Sequence, residues 1–372
     1  MNNINLQLFA SDTYWRKREE DNLKRNLLEE KEYEREIQRI YEDMLESVQG
    51  EIDRFYRQYA NKENITLAEA KKRVSKLDIE RYERKAEKYA KAAEADRAVN
   101  GGKTNKRGYY FSEKANEEMR LYNLTMKVNR LEMLKANIGL ELIKGHAELE
   151  TFMADILQGR TEDELKRQAG ILGETVIGNA KKAHAIVNAS FNNATFSDRI
   201  WAYQGLMKND LAKLLQTGLI QGKNPRVLAK DLRKYFIGEE HLKNGKKGAV
   251  YSAERLMRTE LARVQIEAQK QSYIRNGFKE YTYIACGASD CCDICKALDG
   301  KHSKIKDMMP GENAPPTHPN CHCSTSAYED SKEYDAWLDY LSQGGSTAEW
   351  EKSGKAAWKK QSGKAVQKHK LG

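Results

Sequence analysis

Proline is scarce in this sequence and is absent from its first 224 residues. The chain of 372 residues has five prolines, and four of them lie between residues 310 and 319. Because proline removes a backbone donor and clashes with the preceding helical turn, nothing upstream of Pro225 is barred from helix on this ground. The sequence therefore predicts a mainly α protein with one proline-rich segment of different local structure.

Long apolar runs are also missing. No segment approaches the ~20 apolar residues that a membrane span needs, so we expect no membrane contact. Residues 1–10 have neither the basic start nor the apolar stretch of a secretory signal, so we expect a protein kept in a reducing cytoplasm. The six cysteines are then better interpreted as thiols or metal ligands than as a disulfide framework.

The charge balance is basic. Lys and Arg number 64 against 55 Asp and Glu, a formal net charge of +9, which favours contact with polyanions without requiring it. The lysine-rich C-terminal stretch is interpreted either as a solvated end or as a site of non-specific contact with double-stranded DNA. The candidate DNA-contact residues are Lys355, Lys359, Lys360, Lys364 and Lys368.

Amphipathic patterns dominate the first half of the chain. Apolar residues recur at steps of three and four from Tyr33 to Tyr59, the period of one helical face. A helix with such a stripe must bury it against other helices, either of this chain or of a partner. A second pattern runs from Leu124 to Ile156, and the acidic residues after Thr161 predict that a separate helix begins there.

Two cysteine pairs lie in or beside the proline-rich segment. Cys292 and Cys295 are spaced C-x2-C, Cys321 and Cys323 are spaced C-x-C, and His318 precedes the second pair. Zinc takes four thiolate or imidazole ligands in a tetrahedron, and two close pairs joined by a loop provide them without a large core. We predict a closed structural zinc site formed by the four cysteines, with His318 as the alternative to one of the last two.

Other interpretations of this segment stay open. Cys286 and Cys291 are left outside the predicted set, and all six thiols would equally fit unliganded cysteines or a disulfide formed later. A grouping that would suit a metal-dependent nuclease also occurs here: His302, His318 and His322 lie near Asp299 and Asp307. No paired-carboxylate, nucleophile-elbow or phosphate-loop pattern accompanies it, so we expect no enzyme.

Several short motifs occur together between residues 196 and 323. They are Phe196–Trp201, Leu219–Gly222 with Leu228–Leu232, Arg258–Glu260, the Asp290-x4-Cys295-x4-Gly300 spacing, and Pro315-Pro-x-His-Pro-Asn-Cys-x-Cys323. In this combination the chain from roughly residue 196 to 325 resembles the phage head-morphogenesis family, the Mu F-like minor head proteins of tailed phages. That family usually has arginine between the last two cysteines, where this chain has His322. Asn5–Ala10 is also similar to the first residues of many phage capsid and scaffold proteins.

The resemblance implies a minor structural protein of a tailed-phage head, assembled in the bacterial host cytoplasm and located in the virion, inside the capsid near the portal. The implied partners are the portal protein and the procapsid, capsid and scaffold proteins. The implied roles are procapsid assembly and DNA packaging or ejection. Two alternatives are a zinc-dependent DNA-binding protein, and a metallonuclease or toxin module carried on a head protein.

The predicted architecture is a mainly α, elongated helical bundle with a small Cys/His module that contains short β-strands. Tyr281–Ala285, rich in β-branched and aromatic residues, is the first predicted strand. The predicted divisions are an N-terminal peptide (1–12), a long helical region (13–110), a second helical region (111–195), a Mu F-like domain (196–328) with its Cys/His module at 281–328, and a C-terminal helix with a basic tail (329–372).

Overall fold

A computed structural model describes residues 4–55, 84–85, 88, 91, 130–173, 179–220, 225–238, 248–287 and 291–360. The helices are α1 (Ile4–Phe55), α2 (Arg130–Leu172), α3 (Asn179–Val187), α4 (Phe196–Ile220), α5 (Pro225–Phe236), α6 (Ala249–Arg275), α7 (Asp293–Leu298), α8 (Lys332–Ser342) and α9 (Thr347–Glu349). The strands are β1 (Glu280–Ile284), β2 (His302–Lys304) and β3 (Ser324–Tyr328). The mainly α class with short strands near the cysteines is thereby confirmed.

The chain forms two compact units, each assembled from segments that are distant in sequence. Unit 1 consists of Met1–Lys31, Leu157–Ala189 and Leu256–Gly372, and unit 2 consists of Glu32–Ile156 and Ser190–Arg255. The domain boundaries proposed from composition stay predictions. Among the described residues, no helix is both long enough and apolar enough to cross a membrane.

In unit 2 the predicted stripe of α1 is buried against its own chain. Its buried members are Ile37, Ile40, Met44, Val48, Ile52 and Phe55. The Tyr33 ring meets Phe152 of α2 edge-on at 6.4 Å, and the Tyr41 ring meets His146 at 5.9 Å. A Cβ on Gly145 would collide with the side chain that α1 presents there, so glycine permits the close approach. Tyr59 lies outside the described residues.

The prediction of a separate helix from Thr161 is wrong, because α2 is continuous from Arg130 to Leu172. Thr161 is fully buried, and its hydroxyl donates to the Leu157 carbonyl oxygen at 2.6 Å, one turn earlier in the same helix. A threonine bonded in this way stays within a helix instead of capping a new one.

Unit 1 contains the three-stranded sheet, in the order β2-β1-β3 with both neighbours antiparallel to β1. The predicted strand at Tyr281–Ala285 is confirmed as β1, one residue earlier at each end. Tyr281 packs in a large apolar cluster that includes Tyr273 and Trp337, whereas Tyr283 packs in a cluster made of the cysteines. The central strand therefore joins the main core of unit 1 to the Cys/His module.

Candidate metal centre

The first cysteine pair is positioned by the start of α7. Cys292 is the N-cap residue of that helix, and its sulfur accepts a hydrogen bond from the Cys295 backbone N–H at 3.4 Å. An N-cap side chain folds back over the first helical turn. The two sulfurs of the C-x2-C pair therefore face the same side of the turn.

The second pair is positioned by a tight turn that leads into β3. The Cys321 N–H donates to the His318 carbonyl oxygen at 3.2 Å, and Asn320 has a φ of 64°. Asparagine adopts this left-handed conformation more readily than residues with larger side chains. The turn brings the imidazole of His318 back toward the cysteines.

Helix α6 anchors this turn through the motif Arg258–Glu260. Arg258 Nη1 donates to Asn320 Oδ1 at 3.3 Å, and the Asn320 N–H donates to Thr259 Oγ1 at 3.5 Å. Glu260 is buried and pairs with Arg263 Nε at 2.6 Å. Arg258 and Thr259 therefore hold the turn that carries the second cysteine pair, and Glu260 is part of a buried ion pair.

His318 lies between the two members of the first pair. Its Nε2 is 3.1 Å from Cys292 Sγ and 3.3 Å from Cys295 Sγ. Its Nδ1 is 2.8 Å from the Pro319 carbonyl oxygen. A proton on Nδ1 donates to that carbonyl, which leaves the Nε2 lone pair facing the sulfurs, the tautomer that binds a metal. These separations are a few tenths of an ångström shorter than the roughly 3.5 Å between a sulfur and a nitrogen ligand of a tetrahedral zinc ion.

The remaining cysteines continue the cluster. Cys295 Sγ is 3.9 Å from Cys321 Sγ, and these two with Cys323 have sulfurs that all lie within 4.8 Å of one another. Cys286, Cys291 and Cys323 form another such group. The structure thus brings together all five residues predicted to bind zinc, and these groups are able to hold a metal ion.

Cys286 and Cys291 are the members that the sequence interpretation missed. Cys286 follows the end of β1 and is half-buried, and Cys291 is buried next to the N-cap of α7. Cys291 could have been predicted from the sequence, because it is adjacent to the predicted ligand Cys292. Their approach to Cys323 depends on the pairing of β1 with β3, which the spacing of the cysteines does not reveal.

Polar groups around the cluster favour thiolates. The Thr317 hydroxyl is 3.0 Å from Cys295 Sγ, and the Tyr283 hydroxyl donates to the same sulfur at 3.4 Å. A hydrogen bond with Cys323 lowers the pKa of Cys321 to about 4. Burial, by contrast, raises the pKa of Cys295 to about 11. The thiolate is the form that binds metal. A bound cation would offset the repulsion between several thiolates that lie this close together.

The histidine and aspartate that suggested a nuclease are used in other contacts. The His302 ring stacks on Tyr328 at 3.7 Å between centroids, and its Nδ1 is 2.9 Å from Thr282 Oγ1. Asp299 Oδ1 accepts from the Ala285 N–H at 2.8 Å and from Arg16 at 3.1 Å. Both residues therefore stabilise the sheet and the loop after α7.

The predicted DNA-contact lysines are only partly described. Lys355 and Lys359 both pair with Glu333 of α8, at 2.6 Å and 3.5 Å, and Lys360 is exposed at the end of the described chain. The other two, Lys364 and Lys368, lie outside the described residues. Contact with DNA stays a prediction.

Comparison with known proteins gives one family. Residues 209–326 match the family model described as Phage Mu protein F like protein, and this stretch includes every residue of the cysteine cluster and the motif of α6. No curated protein and no solved structure matches the chain. Over residues 209–326 the chain is therefore similar to the Mu F-like proteins, the phage head-morphogenesis family that its motifs resemble.

Proposed function

We propose that this protein is a minor structural component of a tailed-phage head, incorporated in the procapsid near the portal and acting in head assembly and in DNA packaging or ejection. The observation that carries the proposal is the Mu F-like match over residues 209–326. The fold agrees with it, because long helices offer extended outer surfaces for contacts with other proteins. The virion is the corresponding location, and capsid components are the corresponding partners.

The Cys/His cluster has a structural role in this proposal. Its donors are thiolates and one imidazole, the set that zinc prefers, and within each of its groups the donor atoms lie within 4.8 Å of one another. A zinc ion bound by four protein ligands has no position for an activated water, so it stabilises the surrounding fold and does not catalyse a reaction. We therefore propose a non-enzymatic protein with a structural zinc site whose four ligands come from Cys292, Cys295, Cys321 and Cys323, with His318 as the alternative to one of the last two.

The two rival functions have less support. A module that reads DNA through a helix in the major groove needs a projecting recognition helix. The helix between the cysteine pairs is α7, six residues long, and Cys295 in its middle is buried in the cluster. A metallonuclease needs an open metal position, which a fully thiolate- and imidazole-bound ion does not offer.

Portal binding is proposed to use helical surface and not the Cys/His module. The stripe from Ile37 to Phe55 is unavailable, because it is buried in unit 2. Large apolar side chains that are exposed include Leu206 on α4, at 60% exposure, and Ile294 on α7, at 61%. These two positions form a matched pair for a test, since each is a single exposed apolar residue, one on a long helix and one in the module.

The test is co-purification of the intact chain with portal rings and with procapsids of the same phage. We expect retention of the wild-type protein and of Ile294→Ser, and weaker retention of Leu206→Ser. Loss of retention in Ile294→Ser alone would move the interface to the module. Failure of the wild-type protein to associate with either particle would contradict the head-protein assignment.

A further inference from the structure

The cysteine cluster contains more donors than one metal ion can bind. It consists of three overlapping groups whose donor atoms lie within 4.8 Å of one another. The histidine triad is Cys292, Cys295 and His318; the outer triad is Cys286, Cys291 and Cys323; and the linking triad is Cys295, Cys321 and Cys323. The first two triads have no residue in common, and the third shares one residue with each of them.

A single tetrahedral ion accounts for only part of this arrangement. It binds four donors, and the cluster has seven, so three donors, at least two of them cysteines, would remain unliganded. Cys291 is one of these under the single-site interpretation, although it is 7% exposed and its sulfur faces two other sulfurs. Two separate tetrahedral ions would bind eight donors, one more than the cluster has. Seven donors satisfy two ions when one thiolate binds both.

Cys321 is placed to be that shared ligand. Cys321 is 1% exposed. Its sulfur lies 3.9 Å from the sulfur of Cys295, which belongs to the histidine triad, and within 4.8 Å of the sulfur of Cys323, which belongs to the outer triad. We propose that the module binds two zinc-like divalent ions, one held by the histidine triad and Cys321, the other by the outer triad and Cys321. The second ion-binding site, at Cys286, Cys291 and Cys323, is the new assignment.

The charges and donors around the cluster are consistent with two ions. Two divalent cations contribute +4 and six thiolates −6, so the cluster carries a net charge of −2 when His318 is neutral. Hydrogen-bond donors reach several of the sulfurs: the Cys286 N–H donates to Cys323 Sγ at 3.3 Å, and the Thr317 hydroxyl is 3.6 Å from Cys321 Sγ. Such outer contacts orient the ligands and stabilise their charge.

The inference rests on the proposed structural zinc site, and the experiment separates the two. The intact protein, purified without chelator, is examined by native mass spectrometry and elemental analysis. We expect two zinc ions per chain for the wild type and one for Cys286→Ser/Cys291→Ser. The matched control is His322→Gln, which should keep two zinc ions. This residue lies between two ligands in the sequence, belongs to none of the three donor groups and contacts Glu30.

A second measurement examines the shared thiolate on the wild-type chain alone. With zinc replaced by cadmium-113, two ions joined by one sulfur should give two resonances that are split by their mutual scalar coupling. Two uncoupled resonances would overturn the bridge at Cys321. One ion per chain in both the wild type and the double variant would overturn the second site and leave the single site intact. A metal-free wild-type protein would overturn both.

Discussion

His322 Nε2 lies 3.1 Å from Glu30 Oε2 on α1, 292 residues earlier in the chain. The residue stands between two cysteines of the cluster in the sequence, and its ring is hydrogen-bonded to a buried carboxylate. The hydrogen bond with Glu30 raises the pKa of the imidazole. In this chain a protonated His322 therefore pairs with an acidic residue of α1.

The two histidines beside the cysteines should therefore respond differently to substitution. His318→Gln removes a metal ligand and should lower zinc affinity by more than about tenfold, with a loss of thermal stability. His322→Gln should keep its zinc, but lose about 1–3 kcal/mol of stability because Glu30 loses its charged partner. His322→Arg should retain most of the wild-type stability. Zinc content and thermal unfolding of the three variants measure this; zinc loss in His322→Gln would contradict it.

The backbone at Asn320 gives a second prediction. Its φ of 64° costs an ordinary residue with a Cβ about 1–2 kcal/mol and costs glycine little. Asn320→Ala and Asn320→Gly both lose the contact with Arg258, so the difference between them isolates the backbone. We expect Asn320→Ala to be less stable than Asn320→Gly by about 1 kcal/mol in denaturant unfolding. Equal stability would mean that the turn relaxes to another conformation.

Local patterns predicted local features well. The stripe from Ile37 to Phe55, strand β1 and the two cysteine pairs all follow from periodicity or spacing within a few residues, and the structure has them. The errors concern information that is not local. Acidic residues after Thr161 resemble a helix start, but burial of the surrounding face keeps α2 continuous. Cys286 reaches Cys323 only through strand pairing, and no spacing rule relates His322 to Glu30.

A buried arginine of α6 gives a third prediction. Arg263 is 4% exposed and donates to the carbonyl oxygens of Ile186 and Val187, both at 2.9 Å, at the end of α3. It also pairs with Glu260. Arg263→Ala would leave a buried carboxylate and two carbonyls without this partner, so we expect a loss of about 3–5 kcal/mol in unfolding free energy.

The control for Arg263 is a surface arginine of the same helix. Arg275→Ala, at the exposed end of α6, should change stability by less than about 0.5 kcal/mol. In a double-mutant cycle, Arg263→Ala with Glu260→Ala should cost less than the sum of the single changes, because the two side chains interact directly and each single change already removes that interaction. Additive losses would show that the pair is not coupled.

The basic C-terminal stretch gives a fourth prediction. Lys355 and Lys359 pair with Glu333, so a deletion that begins at residue 361 removes lysines and leaves these two ion pairs intact. Deleting residues 361–372 should weaken binding to double-stranded DNA and flatten its dependence on salt, with little effect on thermal stability. Fluorescence anisotropy over a range of salt concentrations, with two unrelated DNA sequences, measures both. Strong preference for one sequence would favour the DNA-binding rival.

His146 of α2 gives the last prediction, a pH dependence of unit 2. The residue is fully buried, its Nδ1 is 2.8 Å from the Leu142 carbonyl oxygen, and its Nε2 has no partner among the described residues. Burial lowers its pKa to about 4 from an ordinary value of 6.5. Between pH 4 and pH 6.5, His146 is therefore protonated in the unfolded chain but not in the folded chain. The free energy of unfolding is therefore unaffected by protonation of this residue above pH 6.5, and it decreases as the pH falls toward 4.

The expected size is on the order of 3 kcal/mol between pH 7 and pH 4. His146→Asn cannot take up this proton, so its unfolding free energy should fall less over the same interval, even though the variant is less stable at pH 7. His184→Gln, a change at an exposed histidine of α3, should keep the wild-type pH dependence. Denaturant unfolding of the three proteins at pH 7, 5.5 and 4.5 measures the effect. Parallel pH profiles for wild type and His146→Asn would show that His146 reaches water or a partner when it is protonated.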